Sequence, residues 1–316
     1  MQITQTRSLQ DWADHFLEEN PPRAKSLVMT LFGDAIRPHG GALWLGSLIR
    51  LLAPFGISDR LVRTSVFRLA EDGWLSGRRE GRRSLYTLRE SAERRFSRAY
   101  NRVYSPTYLA WSGFWTLVFA SSGTLNPQTR SELRKELSWE GFSAISPTVF
   151  VHPNPDHETL REILQGYGVQ RDVFVTSMEQ AQGMPGRPLT ELVGEYWPLE
   201  EISQNYRSFI RHFSQIPEIL EELGPSLSPE LAFVVRTLLI HEYRRALLHD
   251  PRLPIELLPA DWAGKVAYEL CRDVYNATWR RAEEYIMDAL REEDPDARPT
   301  ADFFYARFGG LKSSHS

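Results

Sequence analysis

From residue 22 the chain reads as a run of short amphipathic segments. In RAKSLVMTLFGDAIRPHGG, Leu27, Val28, Leu31, Phe32, Ala35 and Ile36 recur three and four apart, which predicts one helix, ended by Pro38 and Gly40-Gly41. A second helix is predicted over 43–53, and Gly56 then makes a turn. Ser58 stands where an N-cap belongs for a third helix, SDRLVRTSVFRLAEDGW, with Leu61, Val62, Val66 and Leu69 as its buried stripe. WLSGRREGRRSLYTL follows as two short strands around an arginine-rich tip, with Gly81 in the turn and Leu85 and Leu88 on the inner face. Helix, helix, turn, helix and basic hairpin is the order of a winged helix-turn-helix, placed at residues 22–90.

Residues 91–110 read as a linker helix with Phe96, Ala99, Tyr100, Val103 and Tyr104 as its stripe. Period-2 and period-3.6 patterns then alternate: strand 114–120, helix 127–137, strands near 142–144 and 148–151, helix 156–165, strand 172–176. This βαββαβ order predicts a ferredoxin-like domain at 111–187. From 188 to 310 the pattern is helical, with helices at 199–215, 217–223, 229–248 and 263–291, and this region is assigned effector binding and dimerisation. The fold class is therefore α+β.

Charge sharpens the division. Residues 1–110 hold 17 Lys/Arg against 11 Asp/Glu, and the remainder holds 20 against 30. Basic charge gathered in one small domain is the footprint of polyanion binding, which phosphate repulsion denies to the acidic remainder. Of 37 basic residues only Lys25, Lys135, Lys265 and Lys312 are lysines, so the basic face is an arginine face, suited to bidentate contacts with phosphate and guanine. One cysteine, Cys271, excludes an internal disulfide framework and any cysteine-ligated zinc site. No apolar stretch approaches the roughly 20 residues of a membrane helix, and the opening has no apolar signal core, so the expected address is cytoplasmic, with no membrane partner.

The candidates for reading double-stranded DNA lie on the third helix and the hairpin. Ser58, Arg60, Arg63, Thr64, Phe67 and Arg68 lie off the buried stripe and are placed to meet the major groove. Arg78, Arg79, Arg82 and Arg83 put four guanidinium groups within six residues, a density suited to phosphate or a narrow minor groove. The plain alternative is a solvated face neutralised by Asp59, Glu71, Asp72 and Glu80.

At these residues the chain resembles the PaaX family, bacterial repressors of phenylacetate-degradation operons that join a winged-helix domain to a large effector-responsive region. The likeness is carried by PPRAKSLVMTLFGDAIRPHGGALWLGSLIRLLAPFGISDRLVRTSVFRLAEDGWL and by HEYRRALLHDPRLPIELLPADWAGKVAYELC, and it extends over almost the whole chain. It implies a homodimeric repressor of phenylacetate catabolism genes, released from its operator by phenylacetyl-coenzyme A. Relatives acting on other aromatic pathways would use another effector.

A catalytic reading has thin support. The middle domain also resembles the small CRISPR-associated nucleases, but the end of its first strand, Phe119-Ala120-Ser121-Ser122, offers no carboxylate for a metal ion. His241-Glu242-Tyr243-Arg244-Arg245, with His249 and Asp250 beyond, lacks HExxH spacing. It admits three readings: a structural network, a site for effector phosphate, or a metal site. For the effector the candidates are Arg207, Arg211, His241, Arg244, Arg245 and Trp262, with Tyr268 and Trp279 near them in sequence. There is no P-loop, no GxGxxG and no GxSxG. No enzyme, cofactor or metal is expected; a thioester-binding enzyme with a DNA-binding head and a non-specific architectural DNA protein are the competing classes.

Overall fold

The computed structural model describes residues 2–105, 111–120, 125–179, 186–188, 190–248 and 250–311. They form a mixed α and β fold in two compact units. Residues 1–106, 209–245 and 266–316 make the first and residues 107–208 and 246–265 the second, so the C-terminal helical residues are shared out between the two.

The first unit begins with α1 (Gln2–Glu19), absent from the sequence reading. Its Phe16 and Trp12 rings pack on Phe213, with centroids 5.7 and 5.4 Å away, and the Trp12 indole donates to the His212 carbonyl at 3.2 Å. Next comes α2 (Ala24–Leu31), and here the expected single helix changes character. Residues 32–36 form a π turn and 37–39 a 3-10 turn that stops at Gly40, whose φ of 95° suits glycine.

The second predicted helix starts two residues late, because Ala42, Leu43 and Trp44 form β1 (Ala42–Trp44) before α3 (Leu45–Leu52) begins. Helix α4 (Asp59–Glu71) buries Val62, Ser65, Val66 and Leu69, whereas Leu61, assigned to the stripe, is 48% exposed. At 100° per residue, Leu61 falls beyond the edge of the arc centred on Val62 and Val66, and Ser65 falls inside it. Ser58 holds the N-cap position with extended backbone but makes no side-chain capping bond.

Strands β2 (Leu75–Glu80) and β3 (Arg83–Leu88) are antiparallel and joined through Gly81 (φ 60°) and Arg82, and β1 adds to β3, giving the order β1-β3-β2. Leu85 and Leu88 do not share an inner face: three residues apart on a strand they point to opposite sides, and both are half-buried. Helix α5 (Glu90–Tyr104) follows.

The second unit is built on a four-stranded antiparallel sheet. Its elements run β4 (Trp115–Ala120), α6 (Pro127–Trp139), β5 (Ser143–Ser146), β6 (Val149–His152), α7 (His157–Gly166) and β7 (Val173–Met178), in the spatial order β5-β6-β4-β7. Register pairs include Leu117 with Val151 and Thr116 with Ser177. Asn126 caps α6 by accepting from Thr129 N at 2.8 Å, and Asp156 caps α7 through Glu158 N at 3.0 Å. Val118, Leu133, Leu137, Phe150, Leu160 and Ile163 close the core between the sheet and its two helices. Helix α8 (Glu191–Tyr196) comes after the sheet, ahead of the first helix expected from the pattern in this region.

The remaining helices are α9 (Leu199–Phe213), α10 (Ile216–Leu223), α11 (Pro229–Leu247), α12 (Gly264–Arg291) and α13 (Asp302–Tyr305). The chain around α13 returns to the first turn of the fold, with Ala301 N donating to the Pro38 carbonyl at 2.9 Å.

Among the described residues no helix is long and apolar enough to cross a membrane, and no group of His, Cys, Asp and Glu is arranged to hold a metal ion. Ser121, Ser122 and His249 lie outside the described residues.

Candidate nucleic-acid interface

Because α4 buries one stripe, its other face is free for contact. Arg60, Arg63, Thr64, Phe67 and Arg68 are all exposed, Phe67 at 61%, and Ser58 lies exposed just ahead of them. No carboxylate pairs with Arg60, Arg63 or Arg68 among the described residues. Thr64 turns its hydroxyl back to donate to the Arg60 carbonyl at 2.9 Å, a local bond that a base edge or phosphate could replace. Of the four acidic residues expected to cancel this face, Asp72 pairs with Lys25 and Glu80 neutralises the hairpin arginine Arg78, while Asp59 and Glu71 pair with none of the candidate arginines.

The hairpin arginines differ from one another. Arg79 Nε donates to the Gly81 carbonyl at 3.1 Å, tightening the tip, while Arg82 has no partner among the described residues. Arg83 is held from below. Its guanidinium lies 4.2 Å from the Trp44 ring centroid and donates to the Glu293 carbonyl at 2.6 Å, with the Glu293 carboxylate 3.6 Å away. Arg50 on α3 reaches the same stretch, donating to Glu292 at 2.8 Å and to the Asp288 carbonyl at 3.1 Å. The chain at the end of α12 thus bears directly on α3 and the hairpin.

Behind this surface sits a buried ionic cluster that the sequence reading missed. Asp34, on the π turn, accepts at Oδ1 from Tyr104 (2.5 Å), Tyr275 (3.1 Å) and Arg307 (3.0 Å), and at Oδ2 from Arg236 (2.9 Å). Its backbone carbonyl also accepts from Arg307 at 2.9 Å and Arg236 at 3.3 Å. Arg236 continues to Glu283 at 2.5 Å, and Glu283 to His39 at 2.9 Å. Burial alone would raise the Asp34 pKa, but Arg236 and Arg307 beside it hold it below the ordinary carboxylate value. Burial works against Glu283 in the same way, and Arg236 again outweighs it. The signal was present in the sequence: Asp34 interrupts the apolar face of its own segment, and Arg236 interrupts AFVVRTLLI.

The residues suggested for an effector are divided between the two units. In the first unit, His241 is buried with Nδ1 2.9 Å from the Thr30 hydroxyl, and burial together with Arg244 and Arg245 lowers its pKa to about 3. Arg244 donates to Ser26 at 3.3 Å, Arg245 pairs with Glu242 at 2.9 Å, and Arg211 is exposed. In the second unit, Arg207 pairs with Glu200 at 3.2 Å and Asp261 at 2.6 Å, and Trp262 is buried with its ring 5.8 Å from Tyr206. Tyr268 packs on Phe308, and Trp279 on Phe304 and Tyr305.

Fold and site define a class first: a mixed α and β protein whose exposed helix and hairpin carry arginine that the chain itself leaves largely unneutralised. The family follows from comparison. Residues 23–92 match the PaaX-like protein model, 109–189 the PaaX protein central Cas2-like domain, and 197–288 the PaaX-like protein C-terminal domain. The chain is 35% identical over 303 residues to the transcriptional repressor PaaX of Escherichia coli (strain K12), covering 96% of this chain and 95% of that one. The chain belongs to the PaaX family. Among solved structures it is similar to the uncharacterized protein Rv0674 from Mycobacterium tuberculosis, with 24% identity, 76% of this chain and 89% of that chain covered, and a TM-score of 0.46.

Proposed function

We propose that the chain is a DNA-binding transcriptional repressor of phenylacetate catabolism genes, acting in the cytoplasm as a homodimer and released from its operator by phenylacetyl-coenzyme A. The observation that carries this reading is the unpaired arginine face of α4 beside the arginine hairpin, in a chain 35% identical along its length to a transcriptional repressor. The element order around α4 and the sheet order β1-β3-β2 support a winged helix-turn-helix, with α4 as recognition helix and β2–β3 as wing. The order β5-β6-β4-β7 supports a ferredoxin-like second unit. In this reading Arg60, Arg63, Thr64, Phe67 and Arg68 read base edges, Ser58 meets the backbone, and Arg78, Arg79, Arg82 and Arg83 set the register on phosphate.

Release by a ligand is a coupling between two sites, and a thousandfold loss of operator affinity requires about 4 kcal/mol of it. Fluorescence anisotropy on a promoter fragment from a phenylacetate operon, at fixed salt, tests the whole reading. Tight binding reversed by phenylacetyl-coenzyme A and not by phenylacetate is the expected result. Equal affinity for scrambled DNA would refute it.

A further inference from the structure

The second unit holds a cavity of about 560 Å³, within the size range of small-molecule sites. One wall comes from α6, with Arg134, Lys135 and Trp139, and the other from Phe142, Tyr196 and Trp197. We propose that this cavity is a binding site for an organic anion that carries an aromatic ring.

Three observations point to that chemistry. First, Arg134 and Lys135 are exposed and neither has a hydrogen bond, ion pair or ring contact among the described residues, so two adjacent cations stand at the cavity without counter-ions. Second, the wall is aromatic and its backbone is held in place. The Trp197 indole donates to the Gly141 carbonyl at 2.8 Å, and the Tyr196 backbone carbonyl accepts from the Ser143 hydroxyl at 2.7 Å, which leaves ring surface and the Tyr196 hydroxyl as the contacts on offer. Third, Asp250, which is the one carboxylate among the lining residues, is buried and committed to the Tyr206 hydroxyl and Arg252 N, each at 2.6 Å. It leaves the cations unneutralised. The wall is also firmly built: Gly141 has a φ of 89°, and a Cβ there would lie 2.4 Å from the Pro251 carbonyl. That same carbonyl accepts from His152 Nε2 at 2.9 Å. A ring slots against aromatic side chains held in place, and its negative end meets α6.

The anion can be the carboxylate of a free aryl acid or the phosphates of an aryl thioester, and the experiment separates the two. It rests on the effector reading above only for the choice of probes. Titration calorimetry of the full chain uses phenylacetate, phenylacetyl-coenzyme A and plain coenzyme A, on wild type, on Arg134→Ala/Lys135→Ala and on Ser138→Trp. All three positions are exposed on α6, so the variants keep the fold. The expected result is binding of an aryl anion that each variant weakens by roughly tenfold or more, as expected when paired charge contacts or the space for the ring are lost. Binding of phenylacetate identifies the carboxylate; binding of the thioester alone identifies the phosphates. Unchanged affinity in both variants, no binding of either aryl anion, or equal binding of plain coenzyme A overturns the proposal. If the thioester still releases operator DNA from both variants as from wild type, the effector reading stands without the cavity, and the cavity is judged on the calorimetry alone. If the cavity binds and DNA is not released, the reverse holds.

Discussion

Replacing Asp34 by Asn keeps the shape of the side chain and removes its charge, so it isolates what the buried cluster contributes. The carboxylate receives four side-chain hydrogen bonds, from Tyr104, Tyr275, Arg307 and Arg236. An amide offers one acceptor oxygen and turns its NH2 toward a neighbour that is itself a donor. At the same time two arginines whose side chains are 0% exposed lose a carboxylate: Arg236 keeps only Glu283, and Arg307 keeps none among the described residues. Breaking a buried ion pair from one side costs about 3–5 kcal/mol, because the surviving charge stays desolvated. Against a typical total stability of about 5–15 kcal/mol, that is enough to unfold a substantial fraction of the unit at moderate temperature. Urea unfolding followed by tryptophan fluorescence reads the loss. A double-mutant cycle with Arg307→Met distinguishes an electrostatic origin from simple misfit, since the second variant removes one of the stranded charges and should recover part of the loss. A loss below about 1 kcal/mol, the worth of an exposed pair, would refute the reasoning.

Arg63→Ala and Arg68→Ala should relax base preference, by about 1–3 kcal/mol at the affected position, whereas Arg82→Ala should weaken all sequences and lower the salt slope by about one contact; anisotropy titrations at several salt concentrations would show a uniform loss from all three if the division of labour is wrong. His241 is held neutral down to about pH 3 in the fold, while in the unfolded chain it protonates near its ordinary value of about 6.5. The unfolded state therefore takes up a proton first as pH falls, and stability declines below about pH 6.5 by up to ~1.4 kcal/mol per unit, a slope that His241→Gln should flatten. Asp34 and Glu283 act lower: their folded pKa values lie below the ordinary ones, so their contribution is complete above about pH 5 and is lost as pH falls through the folded values. Glu293→Gln removes the carboxylate beside Arg83 while keeping the backbone carbonyl bond, and should tighten non-specific duplex binding at low salt; unchanged affinity would mean that the carboxylate does not compete with phosphate for Arg83.

Elements with a strong local period were legible: α4, the β2–β3 hairpin and every strand of the second unit lie within a few residues of where the pattern placed them. What escaped was set by contacts distant in sequence. β1 is three residues long and exists because β3, forty residues on, offers it an edge; alone, Ala42-Leu43-Trp44 reads as the start of the helix that follows. α1 carries Leu9, Ala13 and Phe16 at helical spacing, but its stripe is narrow and its partner, Phe213, is about 200 residues away. The π turn at 32–36 leaves no mark on hydrophobic period beyond the misplaced Asp34, whose partners come from α5, α11, α12 and the turn after α13. The arginine face of α4 was readable residue by residue. The fate of each hairpin arginine was not, since Trp44 and Glu293 decide it for Arg83.

Helix α12 is the element through which these features communicate. Tyr275 and Glu283 belong to the buried cluster, and Asp288, Glu292 and Glu293, on its last turn and just beyond, meet Arg50 and Arg83. Eight helical residues, 284–291, lie between Glu283 and the turn that carries Glu292 and Glu293, about 12 Å of rigid rod, so a displacement at one end is felt at the other. Gly46, next to the start of α3, has no side chain, and a Cβ there would fall 2.1 Å from the Glu293 carboxylate; the close approach therefore depends on glycine. His39 fastens the opposite end of the arrangement: Nε2 meets the Glu283 carboxylate at 2.9 Å and Nδ1 the Arg298 carbonyl at 2.7 Å. The hairpin is thus tied, through Arg83, to a helix anchored in the ionic core. Gly46→Ala follows as the sharpest probe of that link: the Glu293 carboxylate must swing away from the added methyl and loosen its hold on Arg83, so anisotropy titration should show a changed duplex affinity with every residue of the α4 face in place, and an unchanged affinity would break the link.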